Sequence, residues 1–97
     1  MIRLYYVESK TYYHDRLNVE HQIADGGEMP NLFTNKKKAM DFAKRVEKFN
    51  IERFGYHTLI PDNEYPCKKD NCLYAVRQTD KKTGMRIEIR VYLIYSI

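Results

Sequence analysis

Cysteine and histidine side chains are the first candidates for chemistry in this sequence, because both residue types bind zinc. The two cysteines are Cys67 and Cys72, and the three histidines are His14, His21 and His57. Structural zinc sites usually place two cysteines about two to four residues apart and add a second ligand pair, whereas these histidines are scattered. We therefore expect no metal site, reduced thiols, and a His21 side chain on the apolar face of its strand. A disulfide across the loop between the cysteines is the alternative, which a reducing cytoplasm disfavours.

Nucleophilic and acid–base catalysis have no better support. A nucleophilic cysteine needs a histidine base within reach and an oxyanion donor, and no motif places His57 beside either cysteine. The spacing of the carboxylates does not distinguish an acid–base pair from residues on a solvated surface. The carboxylates considered are Glu8, Asp15, Glu20, Asp62 and Glu64. Phosphate-binding loops, dinucleotide fingerprints and nucleophile elbows are missing from the sequence. The sequence therefore predicts no catalytic residue and no cofactor, and a small enzyme of unknown class is kept as the second alternative function.

Positive charge is concentrated in one short segment. The chain has 17 Lys and Arg residues against 13 Asp and Glu residues, which gives a net charge of +4. Segment 36–48 contains six of the basic residues together with Asp41 and Glu47, so it accounts for the whole net charge. These six residues, called the basic ridge below, are Lys36, Lys37, Lys38, Lys44, Arg45 and Lys48.

The first three lysines of the basic ridge lie where a helix is predicted to begin. The helix dipole disfavours cations at that end by about 0.3–1 kcal/mol each, so stability alone would place acidic residues there. The placement indicates binding of an anionic group, and the alternative is a solvated helix start whose cost is reduced by salt screening. We take the basic ridge as the candidate partner-binding site, and a protein with an acidic surface as the partner.

A second candidate surface combines arginine and tyrosine side chains. Arg77, Arg86, Arg90 and Tyr92 fall in two predicted C-terminal strands. An aromatic ring on a sheet can stack on a base while guanidinium groups contact phosphates. The aromatic signature of an RNA-recognition sheet is missing, however. A nucleic-acid-binding module that uses the basic ridge and this sheet face is therefore the first alternative function.

One long helix is predicted over residues 35–54. Thr34 or Asn35 can cap its first N–H groups, and Gly55 follows where a left-handed residue ends a helix. At 100° per residue the apolar side chains fall on one stripe, which should pack against a sheet. The members of this predicted buried stripe are Ala39, Phe42, Ala43, Val46, Phe49 and Phe54.

A β-hairpin is predicted for the C-terminal third, because apolar and polar residues alternate from Met85 to Tyr95. A turn over residues 81–84 places Arg77 opposite Glu88, a pairing of opposite charges that favours this register.

Three further segments complete the expected fold. Segments 2–7 and 17–23 predict a second hairpin, and residues 56–60 predict a short strand. An antiparallel sheet buries its apolar face most economically against the single helix. The expected fold class is therefore α+β, with an antiparallel β-sheet of about five strands, one long helix packed on one face, and the order β-β-α-β-β-β.

The length of 97 residues favours a single domain spanning 1–97. No apolar run approaches the roughly 20 residues that span a bilayer, and the first residues lack a signal-peptide pattern, so we expect a cytoplasmic protein without membrane contact. The leading interpretation is a small non-catalytic protein-interaction module, and size alone suggests an accessory or inhibitor protein of a phage or mobile element. Segment 1–7 or the last strand is expected at a sheet edge, through which a homodimer could form.

Overall fold

One antiparallel sheet and one helix make up the described part of the chain. The computed structural model describes residues 2–14, 16–23, 31–59 and 71–97. Within these ranges, three strands precede the helix and three follow it. Their bounds are β1 (Arg3–His14), β2 (Glu20–Ile23), β3 (Leu32–Phe33), α1 (Lys36–Phe54), β4 (His57–Leu59), β5 (Cys72–Thr79) and β6 (Arg86–Ser96). The predicted α+β class is confirmed, with one more short strand before the helix than the sequence indicates.

The strand order of the sheet is β2-β1-β6-β5-β4, so β6 lies at its centre. On the side of β1 away from β6, β3 pairs with the beginning of the strand and β2 with its end. Both strands that the sequence proposes for a sheet edge therefore have neighbours on each side, and that expectation is wrong. The edges of the described sheet are the short strands β2, β3 and β4.

The hairpin of β5 and β6 has the predicted register. Val76 lies opposite Ile89, and Arg77 lies opposite Glu88. Gly84 has a φ of 74°, in the left-handed region that a residue with a Cβ rarely adopts.

Asp80 fixes the turn between these strands. Its carboxylate accepts the Lys82 backbone N–H at 3.0 Å and the Thr83 hydroxyl at 2.8 Å. These two hydrogen bonds, the backbone one first, lower the pKa of Asp80. The carboxylate is therefore a turn residue that stabilises the local backbone.

The first strand is longer than the sequence predicts, because its pairing continues past residue 7 to His14. Polar residues obscure the alternation there: Glu8 and Lys10 lie on one face of the sheet, while Ser9 follows Val7 on the other. Backbone pairing with β6 stabilises the strand along most of this length. Local sequence preferences do not predict such a distant partner. Predicted strand 17–23 begins only at Glu20.

The helix begins and ends close to the predicted residues. Asn35 accepts the Lys38 backbone N–H at 3.1 Å, and Gly55 has a φ of 71° with its N–H donating to the Ile51 carbonyl. Ala39 and Ala43 are fully buried, as predicted. The predicted stripe is too wide, however, because Phe42 and Val46 are half-buried while Phe49 and Phe54 are exposed.

The helix covers one face of the sheet. Ala39 and Ala43 share a buried cluster with Val7, Ile89 and Val91 from the two central strands. Burying each of these larger apolar side chains contributes about 1.5–3 kcal/mol. The opposite face, called the open face below, carries polar and charged side chains, and its central members are Tyr12, Arg77, Arg86, Glu88, Arg90 and Tyr92.

Candidate functional site: the outer face of the helix

The basic ridge lies in solvent along the helix. Every member of it is exposed. By the helical period, five members fall within one outward sector, whereas Lys36 falls near the direction of Ala43, which faces the sheet. The first turn contains no acidic residue, so its lysines meet the positive end of the helix dipole uncompensated.

A shallow groove of about 650 Å³ runs beside these cations. Lys38, Lys44, Arg45 and Lys48 line it together with Asp41, and the β3 residue Phe33 forms part of its wall. Four cations therefore converge on one concave surface that contains a single carboxylate among its described lining. Such a surface attracts anionic groups from solution.

The ion pairs of the basic ridge are sparse. Within the described residues it forms one, between Lys48 Nζ and Glu52 Oε1 at 3.8 Å, and both side chains are largely in solvent. An exposed pair of this kind contributes about 0–1 kcal/mol, so it does little to neutralise the ridge.

The second predicted surface is assembled as well, because Arg77, Arg86, Arg90 and Tyr92 all lie on the open face. Glu88 lies among the arginines, with its carboxylate 3.3 Å from Arg77, 3.5 Å from Arg86 and 3.4 Å from Arg90.

Carboxylates on neighbouring strands add to this neutralisation. Arg86 also pairs with Glu20 and lies 4.8 Å from the centre of the Tyr12 ring, and Arg90 is 4.0 Å from Glu8. Burial, followed by the charge of Glu8, raises the pKa of Tyr92. The charged side chains of the open face therefore form a network of ion pairs. The outer face of the helix has only one ion pair of the basic ridge among the described residues.

A polar network that the sequence analysis missed joins the helix to the sheet. Gln78 is fully buried, accepts the Asn50 amide at 2.9 Å and donates to the Glu47 carbonyl at 2.9 Å. Thr58 donates to the Glu47 carboxylate at 3.0 Å. Tyr74 donates to the other carboxylate oxygen at 2.7 Å, and burial followed by this bond raises its pKa. Two features of the sequence indicate such a network. Gln78 lies on the apolar side of its strand, and Asn50 lies on the inner side of the helix.

The metal-ligating candidates that the structure describes do not form a cluster. His14, His21 and His57 are exposed. The pairing of His21 with Tyr13 places its side chain on the same face of the sheet as Val7, as expected, but it is not buried there. Its ring stacks on Tyr13 with centroids 5.0 Å apart. Cys72 is disulfide-bonded, which corrects the expectation of a reduced thiol. Cys67 lies outside the described residues. Within the described ranges no cluster of three or more metal-ligating side chains occurs.

A second cleft, of about 490 Å³, lies under the end of the helix, where Asn50, Tyr56 and Asp80 reach its wall. Asn50 is bound to Gln78, and Asp80 is bound within its turn. Burial, followed by the charge of Asp80, raises the pKa of Tyr56, which keeps its phenol protonated. The hydrogen bonds of Asn50 and Asp80 therefore stabilise the fold around this cleft.

Within the described part of the chain, the outer face of the helix therefore presents exposed cations with few ion pairs, whereas the arginines of the open face are paired. Among the described residues, no helix combines the length and the apolar character needed to cross a membrane. No protein-family model, curated protein or solved structure matches this chain.

Proposed function

We propose that this chain is a non-catalytic interaction module whose basic ridge binds an acidic surface of a partner protein. The observation that carries the proposal is the contrast between the two cationic surfaces. Arginines of the open face contact Glu88, Glu8 and Glu20, whereas the ridge shows one exposed ion pair among the described residues. Cations with few carboxylates nearby are the ones that gain most from a partner's carboxylates.

Asp41 favours a protein partner over nucleic acid. It lines the same groove as Lys38, Lys44 and Arg45. A phosphate backbone that follows the groove would be repelled by this carboxylate, since every nucleotide carries a negative charge. A protein surface can place a backbone N–H or a basic side chain there instead.

The proposal does not depend on a cytoplasmic location. Disulfides persist mainly in oxidising compartments, and Cys72 is disulfide-bonded. The charge argument is the same in any compartment, because lysine and arginine keep their charge throughout the physiological pH range.

Charge reversal on the ridge tests the proposal. Lys37→Glu, Lys44→Glu and Lys48→Glu are combined in one variant, whose sites are all exposed. Wild-type chain captures its partner from nuclease-treated lysate of the native host, and surface plasmon resonance then follows association at low and physiological salt. We expect the variant to associate at least about tenfold more slowly at low salt, with a smaller change in dissociation, as for peripheral charges.

A matched variant controls for net charge. Arg3→Glu, Arg16→Glu and Lys81→Glu reverse three exposed cations outside the helix. We expect this variant to bind the captured protein nearly as the wild type does. Equal association rates for wild type and the ridge variant would contradict the proposal. A partner that is lost on nuclease treatment would instead support the nucleic-acid alternative.

A further inference from the structure

We propose that the acidic partner segment also carries a large apolar side chain, which seats in a notch beside the basic ridge. This inference rests on the proposed function and names the chemistry of the segment that binds there. The notch, called the Phe49 notch below, has a volume of about 440 Å³ and is lined by Phe42, Arg45, Val46 and Phe49. Ligand-binding clefts commonly have volumes of about 300–1,000 Å³.

The exposed ring of Phe49 is the first observation behind this inference. Phe49 is 51% exposed although it belongs to the predicted buried stripe of the helix. Neither the sheet nor any other described element covers it. Large aromatic side chains exposed beside a charged rim are typical of the centres of protein interfaces.

The walls of the notch are held in place by neighbouring rings. Phe49 contacts Phe54 edge-to-face with ring centroids 5.7 Å apart, and the Arg53 guanidinium lies 5.9 Å from the Phe49 ring centre. Phe42 lies against Phe33, with centroids 5.3 Å apart. A wall that is already ordered loses little conformational entropy when a ligand binds.

The position of the cations defines the chemistry of the occupant. Arg45 lines both the Phe49 notch and the groove of the basic ridge, so the apolar and cationic surfaces are continuous. Arg45 follows Phe42 by three residues and precedes Phe49 by four, which places all three on one strip of the helix. An apolar side chain in the notch therefore has carboxylate-binding groups within one helical turn.

The length of the ridge defines the length of the segment. Lys38 and Lys48 are separated by a rise of about 15 Å along the helix. An extended chain covers that distance in about five residues. The occupant is therefore a short polypeptide segment in which glutamate or aspartate flanks a phenylalanine or leucine, and its carboxylates face the ridge.

Two synthetic peptides test the inference without knowledge of the natural partner. The first is a short fluorescent peptide of glutamates with one central phenylalanine, and the second has serine in that place. Fluorescence anisotropy measures the affinity of each for the wild-type chain. We expect about tenfold tighter binding of the phenylalanine peptide, as for partial burial of an aromatic side chain. Equal affinities would overturn the inference, and this comparison needs no variant.

Variants then locate the contact. In Phe49→Ala the advantage of the phenylalanine peptide should disappear, while the salt dependence of binding is unchanged. Ile51→Ala is the matched control, because Ile51 is an exposed apolar residue on the opposite flank of the same helix, and it should keep the advantage. An advantage that survives in Phe49→Ala would overturn the inference. Circular dichroism confirms that both variants are folded.

Two further arms separate this inference from the proposed function. The ridge variant with Lys37, Lys44 and Lys48 reversed should weaken both peptides equally and keep their affinity ratio. If that variant binds both peptides as the wild type does, the proposed function fails, whatever the notch does. A labelled oligothymidylate is the last probe, and tighter, Phe49-dependent binding of it than of the phenylalanine peptide would overturn the polypeptide occupant.

Discussion

Glu88 lies at the centre of the charge network on the open face. Its side chain is only 9% exposed, and it lies within 3.5 Å of three arginines on the open face. This carboxylate offsets one of the three positive charges of the cluster, and Glu8 and Glu20 offset the others. Arginine content therefore overstates the anion-binding capacity of this face.

Replacing this carboxylate by an amide of the same size provides a test. We expect Glu88→Gln to lower the free energy of unfolding by about 1–3 kcal/mol, because buried hydrogen-bonding partners are left unsatisfied. Urea unfolding at low and high salt measures the loss, which should shrink at high salt as the repulsion among the arginines is screened. Glu52→Gln removes an exposed pair with Lys48 and should change stability by less than about 1 kcal/mol. Equal losses in the two variants would contradict the assigned role of Glu88.

Individual residues show where sequence reasoning succeeds and fails. Opposite charge correctly paired Arg77 with Glu88, because neighbouring strands place the two side chains on one face. The helical period wrongly places Phe49 in the core, because it gives the direction of a side chain on the helix and not how far the sheet extends beneath it. The outward direction of the basic ridge needed only the helical period, so that part of the site was predictable.

At the scale of elements, polar contacts as well as apolar packing dock the helix. Small side chains, Ala39 and Ala43, form its buried contact, and Asn50 continues that line toward Gln78. A buried polar pair needs nearly complete hydrogen bonding to be tolerated. The network of Gln78 therefore fixes the rotation of the helix as well as its distance from the sheet.

A double-mutant cycle measures this coupling. We expect Gln78→Leu to cost about 1–3 kcal/mol, because the Asn50 amide and the Glu47 carbonyl lose a buried partner. The double variant with Gln78→Leu and Asn50→Leu should lose less stability than the sum of the losses in the two single variants. The reason is that the second change removes a group that the first left unsatisfied. Chemical denaturation of the three variants gives the coupling energy, and strictly additive losses would contradict the network.

The elements also differ in how well the sequence predicts them. Local chemistry specifies the ends of the helix through Asn35 and Gly55, and it specifies the turn through Asp80 and Gly84. The second half of β1 and the two-residue strand β3 depend on partners distant in sequence, which no local pattern encodes. Non-local pairing is therefore the part of the fold that required the structure.

At the scale of the whole molecule, the described sheet offers little edge for self-association. Its edge strands have four, two and three residues in β2, β3 and β4. Edge pairing needs a row of free backbone groups, and short edges are a common means of preventing it. We expect a monomer at high micromolar concentration, measured by size-exclusion chromatography with light scattering. A dimer would contradict this expectation and would support the homodimer that the sequence suggests.

The long pairing of β1 with β6 has a consequence for folding kinetics. It brings Arg3 opposite Ser96, and the Ile97 N–H donates to the Ile2 carbonyl at 2.9 Å. The helix and the β5–β6 hairpin can form from nearby residues, but β1 must close a loop of nearly the entire chain before the core exists. The entropy cost of closing this loop comes before the burial of apolar surface that compensates for it, so loop closure limits the folding rate. The chain should therefore fold in about milliseconds to seconds, slower than a helical protein of equal length.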